Sequence, residues 1–114
     1  MILDKKHALQ QKLFRQFAET EFTKELQDEL DLTGEFNWEM HKKMARYGFM
    51  GTKIPAEYGG AGGDSLSYVL MDEEFARQDL VLAIYANTSN SLGGGPLMLA
   101  GSKEQKEKYL PLVA

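Results

Sequence analysis

A chain of 114 residues with no cysteine is at most one domain, without disulfides, Cys-based zinc sites or thiol catalysis. Its net charge of −4 argues against broad electrostatic attraction to nucleic acid or to an anionic membrane. The longest strongly apolar run, Leu80 to Ala86, is too short for a bilayer span, and the N-terminal MILDKKHALQQ carries charge where a signal peptide needs an apolar core. A cytoplasmic setting is compatible with all of this.

The first segment, Asp4 to Leu32, places Leu9, Leu13, Phe17, Phe22, Leu26 and Leu30 at spacings near four, the period of a helix with one apolar stripe. No glycine or proline interrupts it, so one long helix is the simplest reading, with Thr20 to Thr23 as the place for a kink and Gly34 as the stop. A second helix runs from about Asn37, a competent N-cap, to Tyr47. Its predicted inner stripe is Trp38, His41 or Lys42, and Ala45, and Gly48 ends it.

Asp64 or Ser65 caps a third helix reaching about Asp79, with Tyr68, Met71 and Phe75 along one face and Leu70 beside them. Asp72, Glu73 and Glu74 on its flank lack a histidine at i+3 or i+4, so a solvated helix face is expected rather than a metal or acid–base pair. The fourth helix opens at Leu80 and is apolar all round in its first turns, the pattern of a helix enclosed by others. It then turns polar and uncharged through Asn87, Thr88, Ser89, Asn90 and Ser91. A glycine inside a helix costs roughly 1 kcal/mol. A break or kink is therefore predicted at Gly93-Gly94-Gly95, with Pro96 opening a short helix through Ala100. Gly101 caps that piece, and Ser102 to Gln105 forms an S-x-x-Q capping box for a last helix. His7 and His41 have no neighbouring ligands in sequence, which points to surface or packing roles. No run alternates over five residues, so an all-α bundle of five or six helices, orthogonal or up-and-down, is expected.

Between the second and third helices lies IPAEYGGAGGD, residues 54–64, with four of the eleven glycines. A phosphate cradle requires a preceding strand and a defined glycine spacing, with a lysine at the Walker position for a P-loop. Gly51 and Pro55 break any strand, no such lysine follows, and the glycines come as doublets. A chain reversal fits better.

Three ordered motifs carry a resemblance: YGFMGTKIPAEYGGAGGD, then YVLMDEEFARQD, then NSLGGGPLMLAGSKEQKEKYLP. Together they closely resemble the N-terminal domain of the acyl-CoA dehydrogenases. Members carry a similar P-x-E-Y-G-G-x-G connector, an E-E-x-A-R helix and a Q-K-x-K-Y-L-P segment near the domain's end. The match covers Trp38 to Leu112. The N-terminal third fits by helical character only, and it lacks the proline that often breaks this region in the family, which leaves one helix or two open.

The resemblance implies a flavoenzyme that oxidises an acyl-CoA thioester across its α and β carbons, with FAD as cofactor in the complete enzyme. It implies a larger subunit, in which residues 1–114 are the helical N-terminal domain and a middle β domain and C-terminal helical domain follow. The flavin-contacting T-E-P-x-x-G-S-D-like stretch and the carboxylate base belong to those later parts. No catalytic, cofactor-binding or metal residue is therefore expected within this chain, and the isolated fragment is expected not to bind FAD or turn over substrate. It further implies electron-transferring flavoprotein as partner and a homotetramer for the complete enzyme. The NSLG match at Asn90 to Gly93 locates a helix face lining the end of the acyl cavity. Tyr85, Thr88, Ser89 and Leu92, at spacings of three and four, are the expected substrate-binding residues. In the structural alternative, Thr88 and Ser89 bond back to carbonyls one turn earlier while Tyr85 and Leu92 fill core. The functional alternatives are a stand-alone helical interaction module, and a relative with altered chemistry such as a flavin monooxygenase or nitroalkane oxidase.

Overall fold

In the computed structural model, which describes residues 2–114, every regular element is helical. Helix α1 (Lys5–Glu21) starts where the Asp4 carboxylate accepts the His7 amide. The long helix expected over Asp4 to Leu32 is divided: the chain leaves helical geometry at Phe22, and Thr23 caps α2 (Lys24–Thr33) by accepting from the Leu26 amide. A threonine that bonds the next turn's N–H favours starting a helix over continuing one. Gly34, at φ +64°, stops α2.

Helix α3 (Trp38–Arg46) is capped by Asn37, whose side-chain oxygen accepts the Met40 amide at 2.8 Å, and Gly48 at φ +82° follows it. Two short 3-10 turns, Phe49–Gly51 and Ala56–Tyr58, occupy the glycine-rich connector. Helix α4 (Ser65–Gln78) is capped by Asp64 and α5 (Leu80–Asn87) by Asp79. The reciprocal Ser102–Gln105 capping box opens α7 (Lys103–Val113).

Of the break or kink expected at the glycine triplet, the break does not occur; α geometry instead gives way locally, and a short helix through Ala100 follows as expected. A π-turn, Thr88–Gly93, carries α5 directly into α6 (Gly94–Ala100), and Gly94 donates to the Ser89 carbonyl five residues back. Counting α5 through α6 as one rod, the bundle has six helices. In an α-helix the Pro96 ring would clash with the Leu92 carbonyl, and a wider turn relieves such a clash. The glycines also serve contact: a Cβ on Gly94 would lie 2.9 Å from the Ser89 oxygen and 3.3 Å from the Ile54 side chain.

One core joins α1, α4 and α5 through Phe14, Phe17, Phe22, Phe75, Met71, Leu82 and Ala86, with Met40 and Met44 from α3. Edge-to-face pairs such as Phe22–Phe75 at 5.2 Å and Phe17–Phe49 at 4.8 Å order it. Two helices are rotated from their predicted stripes. In α1, His7, Phe14, Phe17 and Ala18 are buried while Leu9 and Leu13 face outward. The larger aromatic side chains take the core position. In α3, Met40 and Met44 point inward and Trp38 is exposed. The Asn37 amide donates to the Tyr85 hydroxyl at 2.9 Å, tying the start of α3 to α5.

On the acidic flank of α4, Glu73 is exposed as expected and Asp72 half-buried, but Glu74 is not solvated. Glu74 is 2% exposed and accepts from Arg15 through both oxygens, at 2.9 and 3.0 Å. Arg15 and Arg77 together hold the Glu74 carboxyl below its ordinary pKa against the opposing effect of burial. The first turns of α5 are not enclosed either, because Leu80, Val81 and Ile84 remain exposed beside the buried Leu82, Ala83, Tyr85 and Ala86. Among the described residues no helix is long and apolar enough to cross a membrane, and no cluster of three or more His, Asp or Glu is placed to hold a metal.

Candidate functional site

The exposed side of α5 forms one wall of an apolar cavity of about 300 Å³. Val81, Ile84, Tyr85 and Thr88 line it at the i, i+3, i+4, i+7 spacing of one helix face, joined by Ser89 at the start of the π-turn. Phe36, in the irregular link between α2 and α3, and His41 of α3 supply the opposite side.

Tyr85 is held at both ends. Its hydroxyl accepts the Asn37 amide, and its ring stacks on Phe36 with centroids 4.1 Å apart and planes 17° from parallel. Phe36 in turn meets Trp38 at 4.6 Å and His41 at 5.5 Å. The Thr88 hydroxyl donates to the Ile84 carbonyl at 2.8 Å, so its proton is spent on its own helix and the oxygen keeps only accepting capacity. The wall is therefore aliphatic and aromatic, with the Tyr85 hydroxyl engaged at Asn37 and the other two hydroxyls at the π-turn end. Its chemistry suits an uncharged, largely apolar group.

Three of the four expected site residues, Tyr85, Thr88 and Ser89, border this cavity; Leu92 is 70% exposed and does not. The π-turn separates them, because a turn closed by i→i+5 bonds changes the angular position of residues that follow. Asn90, by contrast, is 2% exposed and faces the connector. It donates to the Phe49 carbonyl at 2.8 Å and the Ala86 carbonyl at 2.9 Å, and accepts the Lys53 amide at 2.9 Å. These bonds pin the π-turn to the glycine-rich link.

Val81 and Ile84 were within reach of sequence reasoning, since they extend the Tyr85–Thr88 face by one turn. Phe36 was not, because nothing in its neighbourhood shows that the link folds over α5. A second cavity of about 330 Å³ lies beyond it, bordered by Leu30, Asp31, Gly34 and Glu35 and sharing Phe36, Val81 and Tyr85 with the first.

On its inner side, the α5 end joins a polar cluster with α4. Asn87 donates to the Tyr68 hydroxyl and, at 2.8 Å, to Asp72. Burial, then the Asp72 charge, pushes the Tyr68 phenol above its ordinary pKa.

The connector's amides are committed to its own fold. Ala61, Gly62 and Gly63 donate to the carbonyls of Gly51, Ile54 and Thr52 at 2.7–2.9 Å. A Cβ on Gly60 would lie 1.9 Å from the Ile54 oxygen. Glycine here permits close backbone approach within a reversal, and those N–H groups do not converge on a ligand. His7 fills a tertiary role. Its Nδ1 is 2.8 Å from Asp4 and its Nε2 2.9 Å from Asp64, so the imidazolium bridges the caps of α1 and α4.

A family model described as "Acyl-CoA dehydrogenase, N-terminal domain" matches residues 4–114. The chain is 50% identical over 110 residues to the caffeyl-CoA reductase–Etf complex subunit CarC of Acetobacterium woodii, covering 96% of this chain and 29% of that protein. The same figures hold for a 3-(aryl)acrylate reductase of Clostridium sporogenes. A solved chain described as "Electron transferring flavoprotein of Acidaminococcus fermentans: Towards a mechanism of flavin-based electron bifurcation" superposes with a TM-score of 0.89 at 33% identity. That superposition covers 100% of this chain and 30% of the other. The chain thus spans under a third of the proteins it matches, at 29% and 30% of their lengths.

Proposed function

This chain belongs to the acyl-CoA dehydrogenase family, as its N-terminal domain, and on that premise we propose that it forms one wall of the acyl pocket in a larger FAD-dependent oxidoreductase. The substrate class is acyl-CoA thioesters, and the bond interconverted is the one between the α and β carbons. The observation that carries the reading is the half-built apolar cavity on the exposed face of α5, bordered by Tyr85, Thr88 and Ser89. Bound FAD would supply the hydride acceptor or donor. The glycine-rich connector does not fit its phosphates, since the amides there are spent on Gly51, Thr52 and Ile54, and no step is assigned to residues of this chain. Their part is to bind and to exclude water: Val81, Ile84 and the Tyr85 ring desolvate the acyl group, and its length or bulk is limited where the wall closes.

A second reading, reduction of aryl-acrylyl thioesters rather than oxidation of alkyl ones, is favoured by the aromatic lining of Phe36, His41 and Tyr85. The two relatives named as reductases of caffeyl-CoA and of 3-(aryl)acrylate support it. Electron-transferring flavoprotein is proposed as the redox partner, on the name of the Acetobacterium relative. A homotetramer is proposed as the complete assembly on the family resemblance alone.

The test uses the full-length protein that carries this domain. Thr88→Leu should lower kcat/KM for decanoyl-CoA relative to hexanoyl-CoA by about fourfold or more, the effect of excluding one methylene. Flavin content should stay unchanged. A chain-length profile identical to wild type would remove this wall from the acyl pocket. Comparing reduction of 3-phenylacrylyl-CoA with oxidation of hexanoyl-CoA separates the two readings, faster turnover of the former favouring the second.

A further inference from the structure

Phe36 lies in the link between α2 and α3, outside every helix, and borders both cavities described above. We infer that Phe36 is the specificity-determining end wall of the acyl cavity, a partition whose removal joins the 300 Å³ space to the 330 Å³ space behind it. The inference rests on the acyl-pocket reading above.

Three side chains are common to the two cavities: Phe36, Val81 and Tyr85. Residues that border two neighbouring spaces form the divider between them. Two of the three are fixed by the fold. Val81 stands in the second position of α5, and Tyr85 is buried, hydrogen-bonded to the Asn37 amide and part of the core. Phe36 has no such anchorage. Its side chain is apolar and carries no hydrogen bond, the residue is 44% exposed, and its ring is held by stacking on Tyr85 and contact with Trp38 and His41. The link itself begins at Gly34 in the left-handed region and ends at the Asn37 cap, so residue 36 can change without disturbing either helix.

The second cavity has a different lining. Asp31, Gly34 and Glu35 stand beside Leu30, so its far side is polar and charged while its near side is the Phe36–Tyr85–Val81 partition. An acyl group pushing past Phe36 gains apolar contact with Leu30 and the newly exposed ring of Tyr85, then meets the carboxylates. The partition therefore sets a first limit on the acyl group, and Asp31 with Glu35 sets a second, several methylenes further on.

The experiment compares kcat/KM for hexanoyl-CoA and dodecanoyl-CoA in the full-length enzyme, for wild type, Phe36→Ala, Trp38→Ala and Thr88→Leu. Trp38 packs on Phe36 but borders neither cavity, so its truncation disturbs the same aromatic cluster without opening the partition. Phe36→Ala should raise the dodecanoyl-to-hexanoyl ratio by about tenfold or more, as two or more methylenes become buried. Trp38→Ala should leave the ratio within about twofold of wild type, well under one methylene's effect. An unchanged ratio in Phe36→Ala, or an equal rise in Trp38→Ala, overturns the partition. If Thr88→Leu shifts the ratio and Phe36→Ala does not, only the partition fails. If neither shifts it, the acyl-pocket reading fails with it.

Discussion

Replacing Asn90 tests the link between the π-turn and the connector most directly. Its amide group makes three hydrogen bonds, to the Lys53 amide and to the Phe49 and Ala86 carbonyls, from a site 2% exposed. Asn90→Ala removes all three. The Ala86 carbonyl keeps its helical environment and the Phe49 carbonyl still accepts from the Thr52 hydroxyl at 3.2 Å, but the Lys53 N–H loses its partner. A buried polar group left unpaired costs about 1–3 kcal/mol. One such group gives an expected loss of about 1–3 kcal/mol, a sizeable share of a domain stability of about 5–15 kcal/mol. Urea unfolding followed by circular dichroism should show a lower midpoint with the slope unchanged, because the surface exposed on unfolding is the same. Hydrogen exchange should speed up at the Lys53 amide ahead of the α1 and α4 amides. Asn90→Asp keeps an acceptor for Lys53 but sets a carboxylate against two carbonyls, so it should be no milder than alanine. A stability loss under about 1 kcal/mol in Asn90→Ala would refute the claim that this side chain holds the connector in place.

The His7 bridge gives a pH dependence. The Asp4 and then the Asp64 carboxylate hold its pKa above the ordinary value, so its contribution is complete below about pH 6.5 and is lost as pH rises through the higher folded value. Tm should therefore fall from pH 6 toward pH 9 more steeply in wild type than in His7→Gln, and parallel curves would exclude the bridge. Asp64, held low by the Ser67 amide and hydroxyl and then by His7, contributes in the opposite sense, its stabilisation disappearing only in strong acid. Arg15→Ala should lower Tm because it leaves Glu74 buried with Arg77, at 3.4 Å, as its one cationic partner, while Arg15→Leu with Glu74→Leu should recover most of the loss. Equal Tm values for the single and double variants would argue against a stranded carboxylate. Gly60→Ala should prevent native folding, since its Cβ would overlap the Ile54 backbone. In contrast, Gly95→Ala, whose nearest neighbour is the Asn90 oxygen at 4.0 Å, should stabilise α6 by up to about 1 kcal/mol in thermal or urea unfolding.

What could be read in advance follows from the range of each interaction. Asn37, Asp64 and Ser102–Gln105 cap helices with bonds three residues long, and Gly34 and Gly48 end them with positive φ, so local chemistry specifies those boundaries. The all-helical class follows from the same local signals. Helix rotation does not. Leu9 and Leu13 lie on one side of α1 and Phe14 and Ala18 on another, and which side turns inward depends on Phe75 and Phe49, far along the chain. Glu74 looked like part of a solvated run because its partner, Arg15, lies 59 residues away. At the cavity, Tyr85, Thr88 and Ser89 share a periodicity visible in sequence, whereas Phe36 joins them only because the link after α2 folds back over α5. Leu92 kept the right spacing for an α-helix but stands in a π-turn. The glycines and Pro96, read as a break or kink, support a wider turn that the chain passes through without leaving the helical region.

That turn makes residue count itself a structural variable. A helical turn closed by i→i+5 bonds holds one residue more than an α-turn, and one residue corresponds to about 100° of rotation. Upstream, the phase of the rod is set by Val81, Ile84, Tyr85 and Thr88 against the cavity. Downstream, it is set by Gly94 against Ile54. Two surfaces that a single α-helix would carry in one fixed phase are thus offset by a single insertion's worth of chain. Most positions between Thr88 and Gly93 can accordingly exchange side chains at modest cost, Asn90 apart, while losing or gaining one residue there would keep the helix and misalign everything after it. In this stretch the number of residues is itself fixed by the packing on either side.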